Sequence, residues 1–395
     1  MLRSLEPAEA HGRLIDHRGH RLINLASNDY LGLANHPRVC NAAIEAIREH
    51  GTGCGASRLT SGHRSLHRDV EARFARFKHA EAALICPTGY MANLSVLGAL
   101  AGRGALVCLD KLDHASLIDA ARASGAAVRV YPHRHLDRLQ QLLTRHGPAA
   151  SRRIIVTDGV FSMDGDCADL PALCDLAEQH DAIIMVDEAH ATGVLGSSGA
   201  GLCEQQGVTD RVDVVVSTAS KALGGFGGVI TARDEVIRTV VNRARSFIYT
   251  TAVPPAQAAA LSAALDTLAA EPWRRHRLTE LAQRLRQEVK DCDLDAGLIR
   301  TGDPATPIVP VVTGESRAAI ALGEYLKEQG FFAPAIRPPT VAPGAARVRI
   351  SLRADLHQDD LDRLVAALRE WARRRVSSSS AQTHHKGWRD GGMEG

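Results

Sequence analysis

Short apolar runs recur through the middle of the chain and constrain its fold more than any other feature. Each run is followed by a loop with glycine or aspartate, and most runs are separated by segments long enough for a helix. Hydrophobic runs of this length suit strands that are buried on both faces of a parallel sheet. The alternation predicts an α/β fold with a mostly parallel seven-stranded sheet between helices. The predicted strands are Ala83–Cys86, Leu106–Leu109, Val128–Tyr131, Ile154–Thr157, Ile183–Val186, Val212–Val216 and Val229–Thr231.

The last predicted strand differs from the others in how it is connected. Only the glycine-rich stretch Ser217–Gly228 separates it from the strand before. A parallel crossover needs a dozen or more residues and usually a helix, which so many glycines disfavour. We therefore expect this strand to run antiparallel to its neighbours.

The chain length predicts more than one domain. At 395 residues it exceeds one typical hydrophobic core. We expect an N-terminal segment (1–38), a large domain (39–272), a smaller C-terminal α+β domain (273–376) and a disordered tail (377–395), because the tail is polar and has no periodicity. Beyond the sheet, the predicted helices are Ala256–Ala270, Arg274–Val289, Arg317–Gln329 and Gln358–Arg374, and the predicted strands are Ile308–Val312 and Val348–Leu352.

Composition excludes several classes of partner. The formal net charge is only +2 and 4% of residues are aromatic, so there is no electrostatic or stacking basis for nucleic acid or an acidic membrane. The 8 cysteines include no CxxC pair, which predicts reduced thiols rather than disulfides or a metal site. Met1–Gly12 does not resemble a signal peptide, and no stretch approaches about 20 apolar residues. We expect a cytoplasmic protein that acts on small molecules.

Lys221 follows the sixth predicted strand. Hydroxyl-bearing residues precede it and Gly224-Gly225 follows it. Ligands of open α/β sheets bind beyond the carboxyl ends of the strands. A lysine there is a catalytic amine, a phosphate-binding cation or an exposed loop residue, and the glycine spacing does not match a P-loop. Taken alone, these residues leave a catalytic and a surface role equally open.

Asp187 follows the fifth predicted strand, in the sequence Asp187-Glu188-Ala189-His190. A carboxylate at the tip of a buried strand is costly unless it meets a cation. The nitrogen of a protonated pyridine ring is such a cation, and an aspartate partner recurs in pyridoxal enzymes. A structural aspartate that caps the next segment is the alternative, but together with Lys221 the pattern favours a pyridoxal site.

Two further loops follow strands of the same sheet. Cys86–Asn93 joins a strand to a helical stretch, whose first N–H groups favour a phosphate. Asp110–Ser116 places His114 just after another strand. Each loop alone is a weak signal, because many α/β turns look alike and such a histidine is more often structural. Together the four loops suit one site.

Motifs in these four loops, and a fifth motif (Gly159–Asp166) after the fourth predicted strand, resemble those of the α-oxoamine synthases, which are pyridoxal-phosphate enzymes of the aspartate-aminotransferase fold (fold type I). The resemblance runs from Asn28-Asp29-Tyr30-Leu31-Gly32 to the final helix. It implies the same fold, with a smaller C-terminal domain. The motifs are Gly89-Tyr90, Asp113–Ser116, Gly159–Asp166, Asp187–Gly193 and Ser217–Gly224.

The resemblance implies pyridoxal 5'-phosphate as cofactor and gives each motif a role. Lys221 would form a Schiff base with the cofactor and later move protons at the substrate Cα. Asp187 would pair with the ring nitrogen, and His114 would lie flat against the ring. His190 and Ser162 would hydrogen-bond the phenolic oxygen of the ring. The phosphate would be bound by Gly89, Tyr90 and Thr218, and by Thr250 and Thr251 of a neighbouring subunit in a homodimer with shared active sites.

Substrate contacts are implied in the same way. Arg349 matches an arginine that binds the amino acid carboxylate, and Thr340 matches a substrate-contacting threonine. Asn28 lies in the stretch that reaches the site, and His114 also faces substrate. Arg3 matches a substrate-binding arginine of an N-terminal helix that is shorter in this chain.

Three segments point to one branch of the family. They are Arg245–Pro255, Ala335–Val341 and Arg347–Ile350. They closely resemble the branch that condenses L-alanine with a pimeloyl thioester in biotin synthesis and releases CO2 and the thiol carrier. Both pimeloyl-CoA and pimeloyl-acyl carrier protein deliver that thioester, so the carrier stays open.

Other functions remain as alternatives. The nearest are a glycine C-acetyltransferase, which uses glycine and acetyl-CoA, and another α-oxoamine synthase. An aminotransferase or desulfurase of the same fold is more distant, and no cysteine stands out in a mobile loop. A non-catalytic pyridoxal-phosphate-binding regulator belongs to a different class. Such regulators carry a basic DNA-binding domain, and none is visible in this sequence.

Overall fold

The protein is described here by a computed structural model covering residues 7–290, 303 and 305–386. It divides into two compact units. One is Asn28–Leu278, and the other joins the described residues up to Ser27 to those from Thr279 onward. The predicted boundaries at residues 38, 272 and 376 stay predictions.

The strands are β1 (Glu9–His11), β2 (Leu14–His17), β3 (His20–Asn24), β4 (Ala82–Cys86), β5 (Ala105–Asp110), β6 (Ala127–Tyr131), β7 (Arg152–Asp158), β8 (Ala182–Asp187), β9 (Val214–Thr218), β10 (Gly228–Ala232), β11 (Ile308–Gly314), β12 (Phe331–Phe332), β13 (Ala335–Ile336) and β14 (Ala346–Ser351). The helices are α1 (Pro37–His50), α2 (Ser65–Phe77), α3 (Gly89–Leu100), α4 (Ala115–Ala123), α5 (Leu136–His146), α6 (Leu170–Gln179), α7 (Leu202–Gln205), α8 (Asp234–Arg243), α9 (Arg245–Ile248), α10 (Pro255–Ala270), α11 (Trp273–Lys290), α12 (Ser316–Glu328) and α13 (Gln358–Lys386).

A seven-stranded sheet forms the centre of the larger unit, in the order β4-β10-β9-β8-β7-β5-β6. The pairs from β9 to β6 are parallel, whereas β10 runs antiparallel to both β9 and β4. The predicted seven strands and the reversed last strand are confirmed. The sixth strand begins two residues later than predicted, at Val214, because the Asp213 side chain accepts a hydrogen bond from the Ile184 N–H (2.9 Å) instead of continuing the ladder.

The core lies between this sheet and the helices that cover it. Val107, Leu109, Val156 and Met185 are 0% exposed and pack in one cluster with residues of α3, α4 and α8. Each buried aliphatic side chain stabilises the fold by roughly 1.5–3 kcal/mol. The apolar runs therefore fix the sheet, and polar residues are left to its carboxyl edge.

Close backbone approaches explain the glycines around β10. A Cβ on Gly228 would lie 2.6 Å from the Thr88 carbonyl oxygen and 2.7 Å from the Gly89 nitrogen. Gly224 has φ +63°, and a Cβ on it would lie 2.3 Å from the Ala34 nitrogen. No other residue fits these contacts without a backbone shift. The glycines that prevent a helix here also let β10 pass beside the start of α3.

The smaller unit contains two sheets. One has the order β1-β2-β3-β12 and the other β11-β14-β13. The predicted C-terminal strands and helices are present, with bounds shifted by a few residues. The sequence did not predict the β1–β3 meander, because its strands are short and partly exposed and contain no apolar run.

The last helix is longer than predicted. α13 continues to Lys386, past Ser377, where the composition had predicted a disordered tail. A helix that has already begun extends at little cost per residue, even through serines. Residues 387–395 of the predicted tail lie outside the described residues.

Three predicted absences can be compared with the described residues. The seven cysteines among them form no disulfide, and six are buried; Cys292 lies outside the described residues. Across the described chain, no cluster of histidine, cysteine or acidic residues could hold a metal ion. None of the described helices is long and apolar enough to cross a membrane.

Candidate active site

A cavity of about 220 Å³ lies where β4, β5, β7, β8 and β9 end. The sequence is responsible for this position, because polar residues follow each buried strand and the carboxyl ends of parallel strands meet at one edge. Its lining includes eight residues that the sequence predicted: Gly89, Tyr90, His114, Ser162, Asp187, His190, Thr218 and Lys221. It also includes six that the sequence did not predict: Thr88, Asn93, Ser116, Asp158, Ala189 and Ser220.

Lys221 lies three residues beyond β9, in a turn held by backbone hydrogen bonds. The Gly224 N–H donates to the Lys221 carbonyl (2.9 Å), and the Gly225 N–H donates to the Ala219 carbonyl (2.8 Å). The Lys221 Nζ lies 2.8 Å from His190 Nε2. The turn thus presents a half-buried amine beside an imidazole that can exchange a proton with it.

Asp187 is the last residue of β8 and is 6% exposed. Its Oδ2 accepts a hydrogen bond from Asn93 Nδ2 (2.7 Å), and its Oδ1 accepts one from the Ala189 N–H (2.9 Å). Both donors are neutral, so they fix the direction of the carboxylate without neutralising it. A buried carboxylate in this state gains most from a cationic ligand group.

Glu188 turns the other way and belongs to a buried network. It is 0% exposed, forms an ion pair with Lys78 and accepts a hydrogen bond from the Cys203 N–H (2.7 Å). Lys78 Nζ also donates to Thr192 Oγ1 (2.8 Å), which lies 2.9 Å from Ser217 Oγ. This network ties the loop after β8 to β9 and so holds the Asp187 and Lys221 loops together.

His114 caps α4 and lies on another wall of the cavity. Its Nδ1 is 2.7 Å from Ser116 Oγ, and that hydroxyl accepts from Asn93 Nδ2 (2.8 Å). Burial lowers the pKa of His114; the charge of Asp187 opposes this shift, and the charge of Lys221 adds to it. The imidazole is therefore neutral near pH 7.

Asp158 and Asp113 form a buried carboxyl pair behind His114. Asp158 Oδ2 accepts a hydrogen bond from the His114 N–H (3.1 Å), and Asp113 Oδ1 accepts one from the Asp158 N–H (2.9 Å). Burial raises the pKa of both carboxyls well above the usual range; the Asp187 charge raises that of Asp158 further, and the Asp158 charge that of Asp113. A carboxyl that keeps its proton adds less negative charge beside Asp187.

The start of α3 forms the end of the cavity that suits a phosphate. The Thr88 hydroxyl caps the helix by accepting from the Met91 N–H (3.0 Å). The Thr218 and Ser220 hydroxyl oxygens lie 2.8 Å apart, and a Cβ on Gly89 would lie 3.6 Å from Thr218 Oγ1. Free N–H groups and the helix dipole attract an anion here, and the two hydroxyls can donate to it.

Tyr90 stands at the rim of this end. Its side chain is 42% exposed, and its hydroxyl donates to Asp119. That hydrogen bond raises the pKa of the Tyr90 phenol. The ring is thus held at the mouth of the cavity and stays protonated at neutral pH.

The residues around the cavity fit pyridoxal phosphate. An amine, a buried carboxylate without a cation among its described hydrogen-bond partners and a helix start with two hydroxyls all face one space. In addition, the buried Oδ1 of Asn93 has no hydrogen-bond partner among the described residues. These are the groups needed for the aldehyde, the ring nitrogen and the phosphate of that cofactor.

Of the other predicted residues, Asn28, Thr250 and Thr251 belong to the larger unit and are not among the described residues that line this cavity. Thr250 and Thr251 follow α9, and Thr251 is exposed. Arg349 lies on β14 and Thr340 follows β13, both in the smaller unit. Arg3 lies outside the described residues. The roles of these residues stay predictions.

Tyr30 is a residue that the sequence reasoning missed. It is 0% exposed, and its hydroxyl lies 2.7 Å from His190 Nδ1 and 3.1 Å from Asn28 Oδ1. Tyr30 belongs to the Asn28–Gly32 motif that carried part of the family resemblance. No local pattern reveals a partner 160 positions away, so only the motif could have drawn attention to it.

Comparisons with known proteins show the family of the chain. A sequence profile of the family described as aminotransferase class I and II matches residues 20–368. An 8-amino-7-oxononanoate synthase of Geobacter sulfurreducens is 46% identical over 363 residues, which is 91% of each chain. Another, from Anaeromyxobacter dehalogenans, is 45% identical over 367 residues, which is 93% of this chain and 90% of that protein.

Solved structures show the same fold. A serine palmitoyltransferase of S. paucimobilis, solved with bound PLP, matches with a TM-score of 0.89 and 29% identity over 95% of this chain and 93% of that one. An 8-amino-7-oxononanoate synthase of Francisella tularensis matches with a TM-score of 0.77 and 26% identity over 90% of this chain and 99% of that one. The aspartate-aminotransferase-like fold predicted from the sequence is confirmed.

Proposed function

Because the chain belongs to the aminotransferase class I and II family, among its 8-amino-7-oxononanoate synthases, we propose that it condenses L-alanine with a pimeloyl thioester. The reaction is an acyl transfer that depends on pyridoxal phosphate and serves biotin synthesis. The alanine carboxyl group leaves as CO2, the carrier leaves as its thiol, and the product is 8-amino-7-oxononanoate. Lys221 and Asp187 line the same cavity. This observation, in a chain 46% identical to such a synthase, carries the proposal.

The residues around the cavity would hold the cofactor at both ends. Lys221 would bond covalently to the aldehyde carbon, and Asp187 would face the ring nitrogen. The phosphate would lie against the start of α3, with the Thr218 and Ser220 hydroxyls donating to it. Asn93 holds the Asp187 carboxylate in a fixed direction (2.7 Å), so little reorganisation accompanies binding.

When bound, pyridoxal phosphate supplies a conjugated ring that takes up the electron pair released at the amino acid Cα. The negative charge of Asp187 would keep the ring nitrogen protonated, which is the state that withdraws electrons. Lys221 would take the proton from the alanine Cα and return one after CO2 has left. His190, 2.8 Å from Lys221 Nζ, is placed to share that proton.

Substrate orientation falls to other residues. Arg349 would bind the alanine carboxylate with its planar guanidinium, which suits two parallel hydrogen bonds. His114, held neutral by its burial, would cover the ring and keep water from the reacting carbon. Asn28 and Thr340 would contact substrate, and Arg3 would contribute from the N-terminal segment.

We further propose that the enzyme acts in the cytoplasm as a homodimer with shared active sites. Thr250 and Thr251 of one subunit would complete the phosphate site of the other. Pimeloyl-CoA and pimeloyl-acyl carrier protein present the same thioester carbon, so either can serve as donor in the chemistry described.

The test is product formation by the purified protein loaded with pyridoxal phosphate. L-alanine with pimeloyl-CoA should release CO2 and thiol and give 8-amino-7-oxononanoate, identified by mass spectrometry. Lys221→Ala should lose the covalent cofactor link and its visible absorption band. Glycine with acetyl-CoA, and L-serine with palmitoyl-CoA, are the competing pairs; if either is turned over much faster, the proposed substrates are wrong.

A further inference from the structure

Tyr30 contacts the nitrogen of His190 that faces away from Lys221. We propose that Tyr30 is a positioning residue that sets which nitrogen of His190 carries the proton, and through it controls the proton on Lys221. The inference deepens the proposed function and rests on it only in that the cofactor reacts with Lys221. The groups involved form one line of contacts: Asn28, Tyr30, His190 and Lys221.

Burial makes this line of contacts obligatory. Tyr30 is 0% exposed and His190 is 6% exposed, so their polar atoms need partners inside the protein. The Tyr30 hydroxyl has a single proton and two acceptors within reach, Asn28 Oδ1 at 3.1 Å and His190 Nδ1 at 2.7 Å. A proton given to one acceptor is withheld from the other.

The protons along this line can be arranged in two ways, and a positive charge on Lys221 selects the first arrangement. An ammonium only donates, so His190 Nε2, 2.8 Å away, must accept from it. A neutral imidazole then carries its proton on Nδ1 and donates it to the Tyr30 oxygen. Tyr30 gives its own proton to Asn28 Oδ1, so each of the three contacts in the line joins one donor to one acceptor.

A second arrangement follows when Lys221 becomes a neutral amine. Nζ loses one proton to solvent in the cavity that it lines, and His190 carries its single proton on Nε2 instead of Nδ1. The imidazole is neutral before and after, and one proton has passed from the ammonium to solvent. The Tyr30 hydroxyl then turns from Asn28 and donates to Nδ1. The amine now has the lone pair that attack on an aldehyde needs, and Nε2 has the proton that it can donate to the phenolic oxygen of the cofactor.

Tyrosine suits this position because its hydroxyl can accept in the first arrangement and donate in the second. A phenylalanine would fill the same space and could do neither. Asn28 has a matching role in this scheme, because its Oδ1 takes the Tyr30 proton only in the first arrangement. Removing that oxygen should favour the second.

The tautomer can be read directly by nitrogen NMR of the full-length protein labelled at histidine. The signals of His190 are assigned by their loss in His190→Gln. Without cofactor, Nδ1 should have the shift of a protonated nitrogen and Nε2 that of an unprotonated one, and pyridoxal phosphate should reverse the two. Tyr30→Phe should give a mixture in both states, and Asn28→Ala should favour the Nε2–H form even without cofactor.

A matched control is available in Tyr131→Phe. Tyr131 is 1% exposed, ends β6 and does not line the cavity, so the same chemical change is made at another buried site. It should leave the His190 signals as in the unaltered protein. If Tyr30→Phe and Asn28→Ala also leave them unchanged, the proposal is overturned.

A double-mutant cycle separates a positioning role from a merely structural one. Tyr30→Phe should weaken pyridoxal phosphate binding about tenfold, the effect of losing one buried hydrogen bond. In a His190→Gln background the same change should cost less than about twofold, because Tyr30 acts through His190. Equal losses in both backgrounds would refute the proposal. If the unaltered protein binds no pyridoxal phosphate, the proposed function fails, and the NMR of the cofactor-free protein still decides the tautomer.

Discussion

Asp187 and Glu188 are neighbours in the chain and both are buried, but their charges meet opposite surroundings. Glu188 is neutralised within the chain by Lys78. Asp187 is held by two neutral donors, Asn93 and Ala189, and faces the cavity. The difference separates a charge that is neutralised within the fold from a charge that, in the proposed function, meets a ligand.

Both acidic residues lie at the end of β8. Successive side chains along a strand point to opposite faces, so two acidic residues in a row are sent to two environments. The order matters, because moving the pair by one residue would send Asp187 to Lys78 and Glu188 to the cavity. This is a physical reason why the motif begins with aspartate at the last position of β8.

The largest expected effect comes from the ligand-facing charge. Asp187→Asn should lower turnover of the loaded enzyme by about 10²–10³-fold or more, since removing one member of a buried charge pair costs about 3–5 kcal/mol. The free energy of unfolding without cofactor should change by only about 1 kcal/mol, one neutral hydrogen bond. Steady-state kinetics and urea unfolding measure the two. A large loss of stability with turnover retained would break the comparison.

The buried Lys78–Glu188 ion pair should show the opposite pattern, with a large effect on the free energy of unfolding. Lys78→Met should lower the free energy of unfolding by about 3–5 kcal/mol, because Glu188 is then left buried without a cation. Lys78→Met combined with Glu188→Gln should recover most of that loss, since no uncompensated charge remains. Urea unfolding of the cofactor-free variants gives both values. A double variant no more stable than the single one would show that the pair is not the cause.

His133 is an intermediate case, a partly exposed cation between two carboxylates. Its Nδ1 is 2.9 Å from Asp110 Oδ1 and its Nε2 is 2.7 Å from Asp166 Oδ2. Burial acts to lower its pKa, but these hydrogen bonds outweigh it and raise the pKa of His133 to about 9. Asp166 Oδ2 also lies 3.6 Å from Arg134 Nη1. Asp166 belongs to the same loop as Ser162.

The resulting pH dependence has a definite sign. Because the folded pKa of His133 is above its unfolded value of about 6.5, its stabilisation is complete below that pH and is lost as the pH rises through about 9. Relative to His133→Gln, the unaltered protein should lose up to about 2–3 kcal/mol of unfolding free energy across this window. Urea unfolding at a series of pH values tests it. Parallel curves for the two proteins would contradict the prediction.

The smallest effect should come from a fully solvated pair. Arg238 and Asp234 lie one turn apart on α8, and both side chains are exposed. Arg238 Nη2 is 2.6 Å from Asp234 Oδ2. Arg238→Ala should change the free energy of unfolding by less than about 0.5 kcal/mol, because water screens the pair. It serves as the reference for the buried variants in the same urea series. A loss above about 1 kcal/mol would mean that the exposure of an ion pair does not predict its contribution to the free energy of unfolding.

Local patterns in the sequence predicted the strands and the residues at their tips. Asp187, His114 and Lys221 could be found because each lies within five residues of the end of a buried apolar run. Asn93 and Tyr30 could not, because their partners are set by packing of segments 94 and 160 positions away. The β1–β3 meander was missed for a different reason, since partly exposed short strands leave no hydrophobic period to detect.

The reversed strand β10 has a consequence for how the protein is made. β4 lies at the edge of the sheet and joins it through β10, which is synthesised long after β4 and after β9. The start of α3 therefore cannot take its place beside Thr218 until β10 has left the ribosome and inserted between its two neighbours. The pocket of the proposed cofactor is thus completed late in synthesis, and a nascent chain that stops before Ala232 would have Lys221 without the helix start that is proposed to bind the phosphate.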